Sequence, residues 1–354
     1  MLTLLRRLFD EPSKGLRRPI LGIYLLLIAG NVAAWAWALL LFRDRPLLLG
    51  TALLAYGFGL RHAVDADHIA AIDNVTRKLR QEGKRPVSVG LFFAAGHSTV
   101  VILAAAAVAG TAAALAGSFS QFRAVGGVIS TCISALFLFA IAAANILILR
   151  SVWQTFQHVR NGGRYVDEDF DLLLNRSGLL ARLFRPLFGL IRQSWHMYPL
   201  GFLFGLGFET ATEVALLGVS ATEAAKGGSV WAILVFPALF AAGMSLIDTT
   251  DGILMLGAYD WAFIKPIRKL YYNLTITFVS VVVAVMIGGI EALGLIGGKL
   301  ELKGLFWDGV GALNGNFNML GFFIIGLFVA AWAVSMIVYR YKGLDEIEVS
   351  SAEG

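Results

Sequence analysis

Phe58-Gly-Leu-Arg-His-Ala-Val-Asp-Ala-Asp-His-Ile69 sets two imidazoles, two carboxylates and a guanidinium inside an otherwise apolar run. Ionisable groups at membrane depth are costly and mark ion or substrate pathways. Histidine nitrogens with carboxylate oxygens, and no thiolates, suit a borderline divalent transition metal better than thiolate-seeking metals or all-oxygen Mg2+ and Ca2+. On a straight helix His62, Asp65 and His68 fall within about 120° of one another, and Asp67 points elsewhere. Gly57 and Gly59, just before the cluster, offer a point where the helix could distort.

The chain around this stretch is that of a polytopic membrane protein. Its 354 residues are 58% hydrophobic and 15% charged, with a mean hydropathy of +0.74, too apolar for a soluble protein of this length. Cys132 is the single cysteine, which excludes an internal disulfide framework and a cysteine-based zinc site. No Gly-x-x-x-x-Gly-Lys-[Ser/Thr] loop occurs, so the chain carries no visible ATPase motif.

Apolar runs of spanning length lie at 20–42, 47–72, 87–115, 125–149, 198–220, 230–257, 270–297 and 319–339, which predicts eight transmembrane helices. The first is too long for the core of a signal peptide and reads as a retained helix. Of the 29 Lys and Arg residues, 22 fall at the two ends and in the 73–86, 150–197 and 258–269 connections. That bias puts both termini in the cytoplasm of a multi-pass protein of the cytoplasmic membrane. The formal charge of +5 is then a topology signal and not a nucleic-acid footprint. The whole chain, 1–354, reads as one membrane transporter domain whose 150–197 segment is a cytoplasmic connector.

An internal repeat is visible. Phe58-Gly-Leu60 recurs as Phe204-Gly-Leu206, and Phe93-Ala-Ala-Gly-His-Ser98 as Phe240-Ala-Ala-Gly-Met-Ser245. The match pairs the second predicted helix with the fifth and the third with the sixth, so the copies (helices 2–4 and 5–7) cross the bilayer in opposite senses. Inverted repeats around a polar midplane site are a recurring plan of secondary transporters.

Four polar clusters fall inside predicted spans: His62/Asp65/Asp67/His68, His97-Ser98-Thr99, Glu209-Thr-Ala-Thr-Glu213 and Asp248-Thr-Thr-Asp251. Mutual neutralisation, with Arg61 paired to an aspartate, would explain one buried ion pair. It does not absorb six carboxylates and three histidines against a single intramembrane arginine, a negative excess that bound cations or protons must balance. Glu213 and Asp251, at the far ends of their motifs, suit helix-end or histidine-orienting roles. The threonines suit helix-to-helix hydrogen bonds, and His158 and His196 suit a solvated loop.

These clusters resemble the motifs of the nickel/cobalt transporter (NiCoT) family: His62-x4-Asp67-His68 within Arg61–Ile69, Gly96-His-Ser-Thr-Val100, Leu206-Gly-Phe-Glu-Thr-Ala-Thr-Glu213 and Gly243-Met-Ser-Leu-Ile-Asp-Thr-Thr-Asp251. Glu209 departs from the aspartate common at that place. The resemblance implies a secondary permease that takes up Ni2+ or Co2+, with no resident cofactor. The ion would be held by His62, Asp67, His68 and His97, with Glu209, Asp248 and Asp65 balancing charge or relaying it. The long loop has only His158 and His196, which favours uptake over export. The competing readings are a proton or Mg2+/Mn2+ transporter and an intramembrane metal-dependent enzyme, since His62-x4-Asp67 also matches a short acyltransferase pattern.

Overall fold

Every regular element in the structure, a computed structural model that describes residues 16–110, 116–160, 191–206, 211–262 and 266–341, is helical. The order is α1 (Arg17–Phe42), α2 (Pro46–His62), α3 (Ala66–Gln81), α4 (Val89–Gly110), α5 (Ala116–Arg160), a 3-10 turn at Ser194–His196, α6 (Met197–Phe204), α7 (Ala211–Ala225), α8 (Val230–Ala262), α9 (Pro266–Lys299), α10 (Leu305–Asn314) and α11 (Phe317–Tyr341). Among the described residues five helices are long and apolar enough to cross a membrane, or up to seven if each bent pair counts as one span. The expected eight are therefore not all present as straight spans among the described residues. Leu25, Leu40 and Ile337 point outward, as lipid-facing residues do in a chain whose interior is already filled.

The departures from the predicted spans have local causes. The second span is broken: α2 ends at His62, Asp65 is extended at φ −65° and ψ 146°, and α3 leaves at 51° to α2. The break therefore lies at Ala63–Asp65 and not at the glycine pair. Gly57 faces open space, whereas Gly59 lies so close to the Phe240 carbonyl that a Cβ would strike it. α3 then runs past the predicted end of the span, because no breaker occurs before Gly83. There, at φ 76°, the Lys84 N–H closes the turn onto the Leu79 carbonyl at 3.0 Å. Asp73, Asn74, Thr76, Arg77 and Lys78, expected in a cytoplasmic loop, are buried in the protein. The fourth span likewise continues to Arg160 and takes in the start of the predicted connector, whose residues 161–190 lie outside the described ones. The fifth span is present as α6 and α7, on either side of residues 207–210, which are also outside the described residues.

Two helix crossings organise the centre. α2 packs on α8 and α6 on α4. In the first crossing a Cβ on Gly59 would meet the Phe240 backbone and one on Gly243 the Tyr56 carbonyl; in the second, one on Gly201 would meet the Phe93 backbone and one on Gly96 the Tyr198 carbonyl. Phe93 and Gly96 match Phe240 and Gly243 at the offset of 147 read from the sequence. On the other helix the counterpart of Gly59 is Gly201, one turn before the Gly205 that the Phe-Gly-Leu match picks. α11 abuts the break itself, with Gly321 against the Val64 carbonyl.

Candidate metal site

The break in the second span turns its two histidines inward. His62 closes α2 and His68 is the third residue of α3, while α4 brings His97 alongside. Their ring centroids form a triangle with sides of 4.7, 4.9 and 5.0 Å. All three are buried, and one nitrogen of each can be chosen so that the three lie within 4.8 Å of one another.

The donor atoms are close enough to share one ion. His62 Nε2 is 3.1 Å from His97 Nε2, and Glu213 Oε1, from the first turn of α7, is 2.9 Å from His97 Nε2 and 3.8 Å from His62 Nε2. Two nitrogens bound about 2.1 Å from one metal at a right angle lie roughly 3.0 Å apart, so the facing Nε2 atoms already have the spacing of cis ligands.

Carboxylates orient two of the rings from behind. Asp65 Oδ2 lies 2.8 Å from His62 Nδ1, and Asp248 Oδ2 lies 3.2 Å from His68 Nδ1. A carboxylate on the Nδ1 side of a ring favours the tautomer that leaves the Nε2 lone pair for a metal, the common arrangement around ligating histidines. Asp65 occupies the N-cap of α3 yet makes no side-chain cap hydrogen bond, although that position favours one; its carboxylate is turned to His62 instead. His68 Nε2 is buried with no hydrogen-bond partner among the described residues. A buried imidazole nitrogen beside two other donors offers its lone pair to a cation. Apolar walls complete the site: the Phe93 ring lies edge-on to His68 at 4.8 Å, and the Phe240 ring lies 5.4 Å from His62.

Of the nine carboxylates and histidines singled out from the sequence, the structure gathers His62, His68, His97 and Glu213 at one point, with Asp65 and Asp248 behind them. Asp67 is half-buried in the first turn of α3 and makes no hydrogen bond to these rings among the described residues. Asp251 is a turn further along α8 than Asp248, with its Oδ2 buried and without a hydrogen-bond partner among the described residues. Glu209 lies outside the described residues. Arg61 is exposed. Thr250 makes the expected helix-to-helix bond, accepting from the Tyr24 hydroxyl of α1 at 3.1 Å.

Other buried charges were missed. Asp73 and Arg77 lie in the part of α3 expected to be loop, and Glu291, in α9, accepts from Ser134 Oγ at 2.8 Å. The signal for the first two was available: Ala66, Ile69, Ala70, Asp73 and Arg77 recur every three or four residues and share one face of a helix.

The sequence matches the model of the family described as high-affinity nickel-transport protein over residues 48–338. It is 63% identical over 333 residues to the high-affinity nickel transport protein of Cupriavidus necator, covering 94% of this chain and 95% of that one. It is 55% identical to the hydrogenase nickel incorporation protein HupN of Bradyrhizobium diazoefficiens, over 91% and 86% of the two chains. It is 40% identical to the cobalt transport protein NhlF of Rhodococcus rhodochrous, over 83% and 84%. No solved structure matches the chain.

Proposed function

The chain belongs to the family of high-affinity nickel-transport proteins, and on that premise we propose that it is a secondary permease, not an enzyme, that takes up Ni2+ and Co2+ across the cytoplasmic membrane with both termini inside. The observation that carries this reading is the convergence of His62 Nε2, His97 Nε2 and Glu213 Oε1 within 3.8 Å beside His68 Nε2, which has no hydrogen-bond partner among the described residues. The transported ion sheds water and is held by the three imidazoles and Glu213, while Asp65 and Asp248 hold His62 and His68 in the tautomer that binds. The mixed nitrogen and oxygen set favours Ni2+ and Co2+ over Mg2+ and, by the Irving–Williams order, over Mn2+. The cobalt-transport relative supports Co2+ as a second substrate.

Entry is downhill. An inside-negative potential favours a divalent cation by about 4.6 kcal/mol per 100 mV, so no ATPase partner is needed. The like crossings of α2 on α8 and of α6 on α4 support an inverted repeat whose halves rock about the ion.

The test is accumulation of radiolabelled nickel at nanomolar concentration by cells expressing the chain, beside His68→Ala and with excess cobalt, manganese or magnesium. Uptake abolished by the substitution and competed by cobalt alone is expected. Competition by magnesium or manganese would favour the broader divalent transporter, and absence of uptake by a well-inserted chain would overturn the permease reading.

A further inference from the structure

Beyond the metal site lies a second buried polar cluster on the same half-helix. Asp73, fully buried five residues after His68, accepts hydrogen bonds from the Tyr259 hydroxyl of α8 and from Ser280 Oγ of α9 at 2.9 Å. Asn74 Oδ1 accepts from Arg77 Nη2 at 2.8 Å and from Asn145 Nδ2 of α5 at 2.8 Å. Arg77 Nη1 donates to Thr277 Oγ1 of α9 at 3.1 Å, and its guanidinium is in electrostatic reach of Asp73. Three neighbouring residues thus tie α3 to three other helices, and none of these bonds is to a histidine.

Apolar side chains would hold a helix here at lower cost, because buried charges are stabilising only when paired and fully bonded. What directional bonds add is register. The apolar contacts of α3, buried Ala66, Ala70 and Ala71 beside Ile69, Ile72 and Val75, hold the helix against its neighbours without directional constraint, which the polar bonds supply. α3 is also the piece whose register matters, since its third residue is His68. A shift of one residue would turn that ring by about 100° and move it about 1.5 Å along the axis, and ligand constellations fail at an error near 1 Å.

We propose that Asp73 and Arg77, with Asn74, Tyr259 and Ser280, are positioning residues that set the register of α3, and through it the place of His68 Nε2 in the metal site, so that they tune metal affinity and the choice between Ni2+ and Co2+ without touching the ion. The proposal rests on the metal site described above.

The experiment compares wild type, Asp73→Asn and Ser280→Ala as full-length protein. It measures nickel KM, maximal rate and the nickel-to-cobalt uptake ratio, each per inserted molecule, together with the visible absorption of Co2+ bound to purified protein as a report on ligand geometry. Asp73→Asn is expected to raise the nickel KM about tenfold, the low end of the loss typical when a ligand's supporting partner is removed, with a changed uptake ratio and an altered cobalt spectrum. Ser280→Ala, which leaves the Tyr259 bond in place, should give a smaller change in the same direction and serves if Asp73→Asn does not insert. Unchanged KM, ratio and spectrum, with only fewer inserted molecules, would overturn the proposal and leave the cluster a purely structural one. Wild type that neither accumulates nickel nor gives a cobalt spectrum would instead overturn the metal-site reading.

Discussion

His62 and His97, from α2 and α4, face each other through their Nε2 atoms at 3.1 Å, with Glu213 Oε1 close to both. Two lone pairs at that separation repel unless a proton or a cation lies between them. The parts of the site fall into groups that face this point and groups that orient them.

The two groups separate by substitution. His62→Ala and His97→Ala should abolish saturable nickel uptake. Asp65→Asn and Asp248→Ala, which leave the donors in place but release their rings, should raise the nickel KM by about 10- to 100-fold. The check is uptake kinetics per inserted molecule.

Glu213 and Asp67 distinguish two possible ligand sets. Glu213→Gln removes a charge in direct contact with His97 and should cost more uptake than Asp67→Asn, which alters a half-buried residue at the start of α3. A larger loss for Asp67→Asn in parallel nickel-uptake curves would put Asp67 on the ion instead.

Protons compete with metal for the same lone pairs. Ordinary imidazole titrates near pH 6.5, and a protonated ring cannot ligate. Metal affinity is thus present above that range and lost as pH falls through it. Nickel uptake into vesicles held at a fixed membrane potential should fall below about pH 6. A rate that holds down to about pH 5 would argue against histidine ligation.

The crossings give a stability prediction. A methyl at Gly59 or Gly201 runs into backbone, which cannot move aside as a side chain can. Gly59→Ala and Gly201→Ala should each destabilise the protein by about 1–3 kcal/mol, the usual cost of overpacking. Gly57→Ala, with nothing within 4 Å, should be close to neutral. Thermal unfolding of the detergent-solubilised protein measures all three.

Much of the site was readable because rare residues announce themselves in an apolar chain: His62, His68, His97, Glu213 and Asp248 were all marked by charge at membrane depth. The bend between α2 and α3 was not readable, since Ala63-Val64-Asp65 contains neither proline nor glycine, and Gly321 of α11 packs against the break at Val64 only once the chain has folded. Hydropathy also ended the second span at Ile72, although Asp73 and Arg77 are as buried as any leucine, because a window of side-chain polarity cannot tell water from a protein partner. The two sequence matches fare differently in the packing: Phe93 and Phe240 both seat a glycine of a neighbouring helix, whereas the Phe-Gly-Leu match pairs Gly59 with Gly205, one turn from the Gly201 that packs in the like position.

Phe93 and Phe240 each do two things at once. The backbone of each seats a glycine of the neighbouring helix, and the ring of each walls one side of the histidine cluster. A helix is stiff over one residue, so neither crossing can slide without carrying its ring along. Each crossing is thus tied to its own wall of the histidine cluster, so that helix packing at Gly59 and Gly201 fixes the shape of the site.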